Sequence, residues 1–192
     1  MLTEVEIANK ALGKLGIRPI SSLDDQEESA RVAKAMFGTV RDYELSIYRW
    51  LFALKRTLLA KDAQAPAFGY ENQYSLPPDF LRLEMVEGKP ANLKDSYLIE
   101  GNKILTDLPA PLKIIYISRE VEMVKWPPFF VEAFACKLAY EMCERLKQDP
   151  SRKNTLLTEY QLIIRDAKRA NAIQLPAQAL PATELEIAQY GF

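Results

Sequence analysis

The chain of 192 residues contains no histidine. That absence removes the most frequent general base, the usual activator of a serine or cysteine nucleophile, and the most frequent metal ligand. Carboxylate-pair, lysine-based and Mg²⁺-carboxylate chemistries remain. Glu132, Glu141 and Glu144 fall in one helical segment, but surface carboxylates on a helix ordinarily sit in solvent or in weak ion pairs. A glycosidase needs two carboxyl groups about 5–10 Å apart across a cleft, and the spacing of the acidic residues sets up no such pair. Asp24, Asp25, Glu27 and Glu28 form an acidic cluster. It lacks the ordered ligands and the glycine of a calcium loop, and helix capping explains it. Cys136 and Cys143 lie seven residues apart in a helical stretch, about 10 Å along one face, too far for a disulfide. They read as buried thiols in a reducing compartment. Neither a glycine-rich phosphate loop nor a Walker motif occurs. No catalytic, cofactor-binding or metal-ligating residue is expected, and the chain reads as a non-enzyme.

Charge narrows the partners. Lys and Arg number 25 against 26 Asp and Glu, a formal net charge of −1. Free nucleic-acid binders usually carry a basic excess, because phosphate contacts supply most of their affinity. The basic residues Lys55, Arg56, Lys147, Arg152, Lys153, Arg165, Lys168 and Arg169 are interleaved with acidic ones, the pattern of an ordinary solvated surface. No apolar run approaches the roughly 20 residues of a membrane helix. The opening Met1-Leu2-Thr3-Glu4-Val5-Glu6 is acidic and unlike a signal peptide, so folding in a cytoplasm is expected. No internal repeat and no low-complexity tract stands out.

The elements that must position these groups read as α+β, mainly α: four helices around a central antiparallel β-meander, then an extended arm. A first helix spans about 3–15, with Thr3 and Glu6 as a capping box and Gly16 as its stop. A second spans about 26–50. Asp25 and Glu28 suit its N-cap and third position; Ala33, Phe37, Val40, Tyr43, Ile47 and Trp50 suit its buried stripe. Gly38 inside it suggests close approach of a neighbouring helix, because a lone glycine there costs about 1 kcal/mol against alanine. From about 51 to 122 the pattern is β. Strands are expected at 72–76, 81–86, 97–100, 103–106 and 112–119, with Gly101-Asn102 as a two-residue hairpin turn. Both faces of 112–119 are apolar, the pattern of a strand covered on each side. A third helix, about 128–147, is apolar over so wide a surface that it must be central. The fourth runs from about 150 to 172, with Leu156, Tyr160, Ile163 and Ala167 facing the core. Residues 1–174 thus form one domain and 175–192 an arm. Pro176 and Pro181 keep the start of the arm extended. Leu180, Leu185, Ile187, Tyr190 and Phe192 make it more apolar than a free disordered tail would be, so the arm either packs back on its own domain or docks on a partner, for which they are the candidate binding residues.

Three stretches carry a resemblance. The segment Ile7-Ala8-Asn9-Lys10-Ala11-Leu12-Gly13-Lys14-Leu15-Gly16 is followed by Pro19 and Ser21-Ser22-Leu23-Asp24. Ala30-Arg31-Val32-Ala33 leads to Tyr48-Arg49-Trp50-Leu51-Phe52. The β region contains Tyr74-Ser75-Leu76-Pro77-Pro78-Asp79-Phe80-Leu81-Arg82. In this order they resemble the tail tubular protein A family, the head-to-tail adaptors (connectors) of short-tailed bacteriophages. Residues 121–128 depart from that pattern. The resemblance implies a structural virion protein at the head–tail junction. It implies self-association into a ring, commonly of twelve subunits, fixed below the portal protein. The ring's lumen would continue the DNA channel and pass double-stranded DNA without sequence-specific binding. Its lower face would receive the tail nozzle or tube protein, and the C-terminal arm would contact the portal. A nucleic-acid-binding helical module and a carboxylate-based cell-wall hydrolase are the competing expectations.

Overall fold

The computed structural model describes residues 2–91 and 97–175. The chain folds as α+β with helix predominating and all strand pairing antiparallel. Helix α1 spans Glu4–Lys14. Thr3 and Glu6 form the expected capping box: the Thr3 backbone N–H donates to the Glu6 carboxylate at 2.8 Å, and the Glu6 N–H to the Thr3 hydroxyl at 3.2 Å. Gly16 follows at φ +66°, a left-handed residue that ends the helix without the penalty of a Cβ.

Helix α2 spans Glu28–Ser46, shorter at both ends than 26–50. Asp25 is not its N-cap. Its carboxylate turns back to accept the Ser21 and Ser22 N–H groups at 2.9 Å each, so it closes the preceding loop instead. Trp50 is buried but lies beyond the helix, and Tyr43, expected in the buried stripe, is 53% exposed. After Ser46 the chain folds back and the Trp50 indole N–H donates to the Glu44 carbonyl at 2.7 Å. A Cβ built on Gly38 would meet nothing within 4 Å, so close helix packing does not explain that glycine.

Helix α3, Pro128–Leu146, has proline in its first turn, as expected, and buries ten side chains. It packs on α1, α2 and α4. Phe130 and Phe134 anchor the helical core, with Trp50, Phe52, Trp126 and Phe37 rings 4.8–5.2 Å away in edge-on or tilted contacts. Helix α4, Pro150–Ile173, is capped by Asp149, whose carboxylate accepts from the Arg152 N–H at 3.0 Å. Leu156 and Ala167 are buried as expected, along with Ile164, while Tyr160 and Ile163 are only partly covered.

The β region is antiparallel but is two sheets rather than one meander. One has the order β1 (Leu54–Leu59), β7 (Leu112–Ser118), β3 (Phe80–Val86), β4 (Lys89–Pro90). The other has β2 (Asn72–Ser75), β6 (Lys103–Thr106), β5 (Tyr97–Glu100). Among the described residues only β3–β4 and β5–β6 are hairpins of consecutive strands. Gly101 at φ +58° supplies the left-handed residue of the second turn. The two apolar faces of β7 explain its central place. Leu112, Ile114 and Tyr116 enter a second core between the sheets, with Tyr74, Leu83 and Ile104; Ile117 joins the helical core.

One side chain fastens α4 to the start of the β region. Asn171, 1% exposed, donates to the Arg49 carbonyl at 2.9 Å and accepts from the Leu51 N–H at 3.0 Å. Replacing it by leucine would leave both backbone groups without those partners. Asn171→Leu is expected to destabilise by about 2 kcal/mol in urea unfolding; a change within about 0.5 kcal/mol, the range of neutral surface substitutions, would show that the tie does not matter.

Candidate functional site

Each glutamate singled out on α3 has its own cation. Glu132 bridges Lys10 and Lys14, the latter at 2.6 Å, and so joins α3 to α1. Burial alone would raise its pKa, but the two lysine hydrogen bonds outweigh that and hold it below the usual value. Glu141 pairs with Lys137 at 2.7 Å and Glu144 with Lys153 at 3.0 Å. These pairings leave each of the three glutamates engaged by lysine. Asp24 pairs with Lys34, Asp25 closes the loop already described, and Glu27 accepts from the Ser29 hydroxyl at 3.4 Å. No group of three or more His, Cys, Asp or Glu among the described residues could hold a metal ion. Cys136 and Cys143 are free and buried; burial pushes the Cys136 thiol up to about 11, the opposite of an activated nucleophile.

Five of the eight basic residues singled out are engaged within the chain, while Arg56, Lys147 and Arg169 are exposed. Lys55 meets Asp79, Arg152 meets the Lys14 carbonyl and Glu159, Arg165 meets Asp166, and Lys168 lies 5.3 Å from the centre of the Tyr48 ring. Leu180, Leu185, Ile187, Tyr190 and Phe192 lie outside the described residues. Among the described residues no helix is long and apolar enough to cross a membrane.

The structure assembles two polar centres that the spacing of residues did not announce. The first is Asp79, 3% exposed, in the Pro77-Pro78-Asp79-Phe80 step ahead of β3. Its carboxylate accepts from Ser118 Oγ at 2.6 Å, Lys55 Nζ at 2.7 Å and Tyr116 Oη at 3.0 Å. Burial would raise this carboxyl, yet the hydrogen bonds from Lys55, Ser118 and Tyr116 together bring it down to about 2. It therefore stays an anion that ties β1 and β7 to the start of β3.

The second centre lies between α2, α3 and α4. Glu44 is fully buried and accepts the Tyr160 hydroxyl at 2.8 and 2.9 Å. Burial pushes its carboxyl up to about 7; the Tyr160 hydrogen bond and the charges of Lys137 and Lys168 oppose this, and Glu141 adds to it. Next to it the Lys137 ammonium sits 4.9 Å from the Tyr140 ring centre, 5.5 Å from Tyr43 and 5.6 Å from Tyr160. Three rings and Glu141 thus hold one cation. A perturbed carboxyl beside a lysine is a pattern to weigh as chemistry. Here Glu44 has no exposed surface and both its oxygens already accept the Tyr160 hydroxyl, so it braces helices rather than meeting a substrate. One signal for it was in the sequence: Glu44 falls at helical spacing in the stripe of Phe37 and Val40.

Beyond Lys137 the surface is an open groove between α2 and α3. Two adjoining hollows share Ala35 and Met36. One continues to Thr39, Val40, Tyr43, Lys137 and Glu141, the other to Val32, Arg31, Glu28 and Arg145. Apolar exposure outside the groove is spread over loops, α4 and the sheets, with Phe68 at 88% and Ile173 at 77%. Leu58 of β1 is 62% exposed, and Leu98 and Ile99 of β5 are 48% and 41%. Strands β1 and β5 are each the outermost strand of their sheet, and an outermost strand can take an added strand. These apolar and edge surfaces are suited to docking other protein. Neither a scan against protein-family models nor a search of curated proteins found a match to this chain.

Proposed function

We propose that the chain is a structural assembly subunit and not an enzyme: a head-to-tail adaptor of a short-tailed bacteriophage. Subunits would form a ring, twelve in the commonest arrangement, below the portal protein at the head–tail junction of the virion. The ring would carry the DNA channel onward and offer its lower face to the tail nozzle or tube protein. The observation that carries this reading is the division of the surface. Charged side chains are largely satisfied within the chain, while the α2–α3 groove and two outermost strands stay open. A closed ring needs two different faces of one subunit to meet, and a groove on the helical side with strand edges on the β side provides different faces. The order of the sequence stretches that resemble tail tubular protein A supplies the rest. Extensive pairing of the basic residues also suits a lumen through which DNA must slide, since strong phosphate binding would hold it.

Mixing the subunit with the portal protein of the same phage and imaging the product by electron microscopy tests the reading. Rings seated on portals are expected; a portal that stays bare overturns it. A chain lacking residues 176–192 is expected to fold, because both cores lie within the described residues, and to lose attachment to the portal. Unchanged attachment would remove the arm from the proposed interface.

A further inference from the structure

A ten-residue likeness, too short for a structural repeat, links the two ends of the chain. Residues 3–12 read Thr-Glu-Val-Glu-Ile-Ala-Asn-Lys-Ala-Leu and residues 183–192 read Thr-Glu-Leu-Glu-Ile-Ala-Gln-Tyr-Gly-Phe. Thr, both Glu, Ile and Ala coincide. Val against Leu, Asn against Gln, Ala against Gly and Leu against Phe keep their character, and only Lys10 against Tyr190 changes it. In α1 this pattern is a capped amphipathic helix: Thr3 and Glu6 close the cap, and Ile7, Ala8, Ala11 and Leu12 are fully buried. The cap is a local device, and Thr183 and Glu186 keep its spacing.

The fold has a second place where such a helix would fit. α1 rests on the side of α3 that carries Glu132, paired to Lys10 and Lys14. Glu141, nine residues on, projects from roughly the opposite side of α3 after about two and a half turns. There it lines the open groove with Met36, Val40 and Tyr43. The chain also leaves α4 near that groove: Asn171 is bonded to residues 49 and 51, just past the end of α2, the end that carries Tyr43. Residues 176–182 can reach about 23 Å when extended. The groove from Tyr43 to Glu28 follows α2 for about 22 Å, longer than the roughly 15 Å that ten residues would span at helical rise. Charge agrees: residues 176–192 hold Glu184 and Glu186 and no Lys or Arg, while the groove carries Lys137, Arg31 and Arg145 against Glu28 and Glu141, the last already paired to Lys137.

We propose that residues 183–192 dock in the open α2–α3 groove of their own chain, presenting on one side of α3 the residue pattern that α1 presents on the other. Leu185, Ile187 and Phe192 are then covered in the free subunit and become available to a partner only by leaving the groove. The proposal concerns the free subunit and stands or falls apart from the adaptor reading.

A nitroxide on Gln189→Cys in the full chain tests it, since both native thiols are buried. The backbone amide signals of Ala35, Thr39 and Lys137 are expected to lose most of their intensity and to regain it when Leu185→Asp is added. Ala35→Asp, an exposed position whose change leaves the core intact, is expected to restore the other two. Mixing spin-labelled chain without ¹⁵N with unlabelled ¹⁵N chain should leave the signals unaffected. Loss of signal in that mixture as well, which would mean the arm of a second copy, overturns the proposal. So does full intensity at the groove in every sample.

Discussion

Asp79→Ala is expected to destabilise the protein by about 4 kcal/mol, the largest effect of any single polar substitution proposed for it. The carboxylate is the common acceptor for Ser118, Tyr116 and Lys55. Its loss strands two buried hydroxyls, and burying a polar group without a partner costs about 1–3 kcal/mol each. Because β1, β7 and β3 meet there, all three strands would feel the change. Asp79→Asn should fall between wild type and Asp79→Ala, since the amide keeps one acceptor oxygen and brings donors where donors already converge. Acid unfolding gives a second check. With its folded-state pKa held down to about 2 from an ordinary 3.8, Asp79 contributes stability that is fully present above the unfolded value and lost as pH falls through the folded one. The wild-type curve should therefore steepen between pH 4 and 2, and the Asp79→Ala curve should not. An Asp79→Ala loss below about 1 kcal/mol, the net worth of one ordinary hydrogen bond, would reduce the network to a set of weak contacts.

Glu44 is expected to behave in the opposite sense. Its folded-state pKa is raised from 4.5 to about 7, so between those values the folded chain binds a proton that the unfolded chain has released. The contribution of Glu44 to stability is then greatest below pH 4.5, declines as pH rises to about 7 and is flat above that, a total of about 3 kcal/mol. Glu44→Gln keeps an oxygen for the Tyr160 hydroxyl and cannot ionise. It should match wild type near pH 4.5 and exceed it by about 2–3 kcal/mol at pH 8. The charges facing Glu44 are Lys137 and Lys168, with Glu141 acting against them. Lys137→Met should therefore raise the midpoint of the Glu44 titration further, as read by the carboxyl carbon chemical shift. A Glu44→Gln variant less stable than wild type by the same amount at pH 5 and pH 8 would instead make Glu44 a charged partner that the helices need.

The Glu44 centre bears on the groove through position rather than chemistry. The Glu44 cluster underlies the Tyr43 end of the groove, and Lys137 belongs to both. Whatever occupies the groove therefore meets a surface held by Tyr160 and Glu44 beneath it.

Local and periodic features of this protein were legible without any coordinates. The Thr3–Glu6 cap, the Asp149-Pro150 start of α4, the Gly101 turn and the wide apolar surface of α3 each depend on residues within a turn or two of one another. Side chains at those distances meet in any folded context. The double-faced apolar pattern of β7 likewise announced a covered strand, though not which strands would cover it. What only the tertiary structure decided are the meetings across the chain. Asp79 finds its partners 24, 37 and 39 residues away, and Glu44 finds Tyr160 116 residues away. The end of α2 belongs here too. The apolar stripe runs on in the pattern to Trp50, yet the helix stops at Ser46 because the Trp50 ring gains more from Phe130 and the Glu44 carbonyl than from another helical turn. A helix extends residue by residue, whereas such closures depend on which loops bring which faces together. That is why periodicity located the elements of this chain, and packing alone determined its two sheets, its buried carboxylates and the groove left open beside α3.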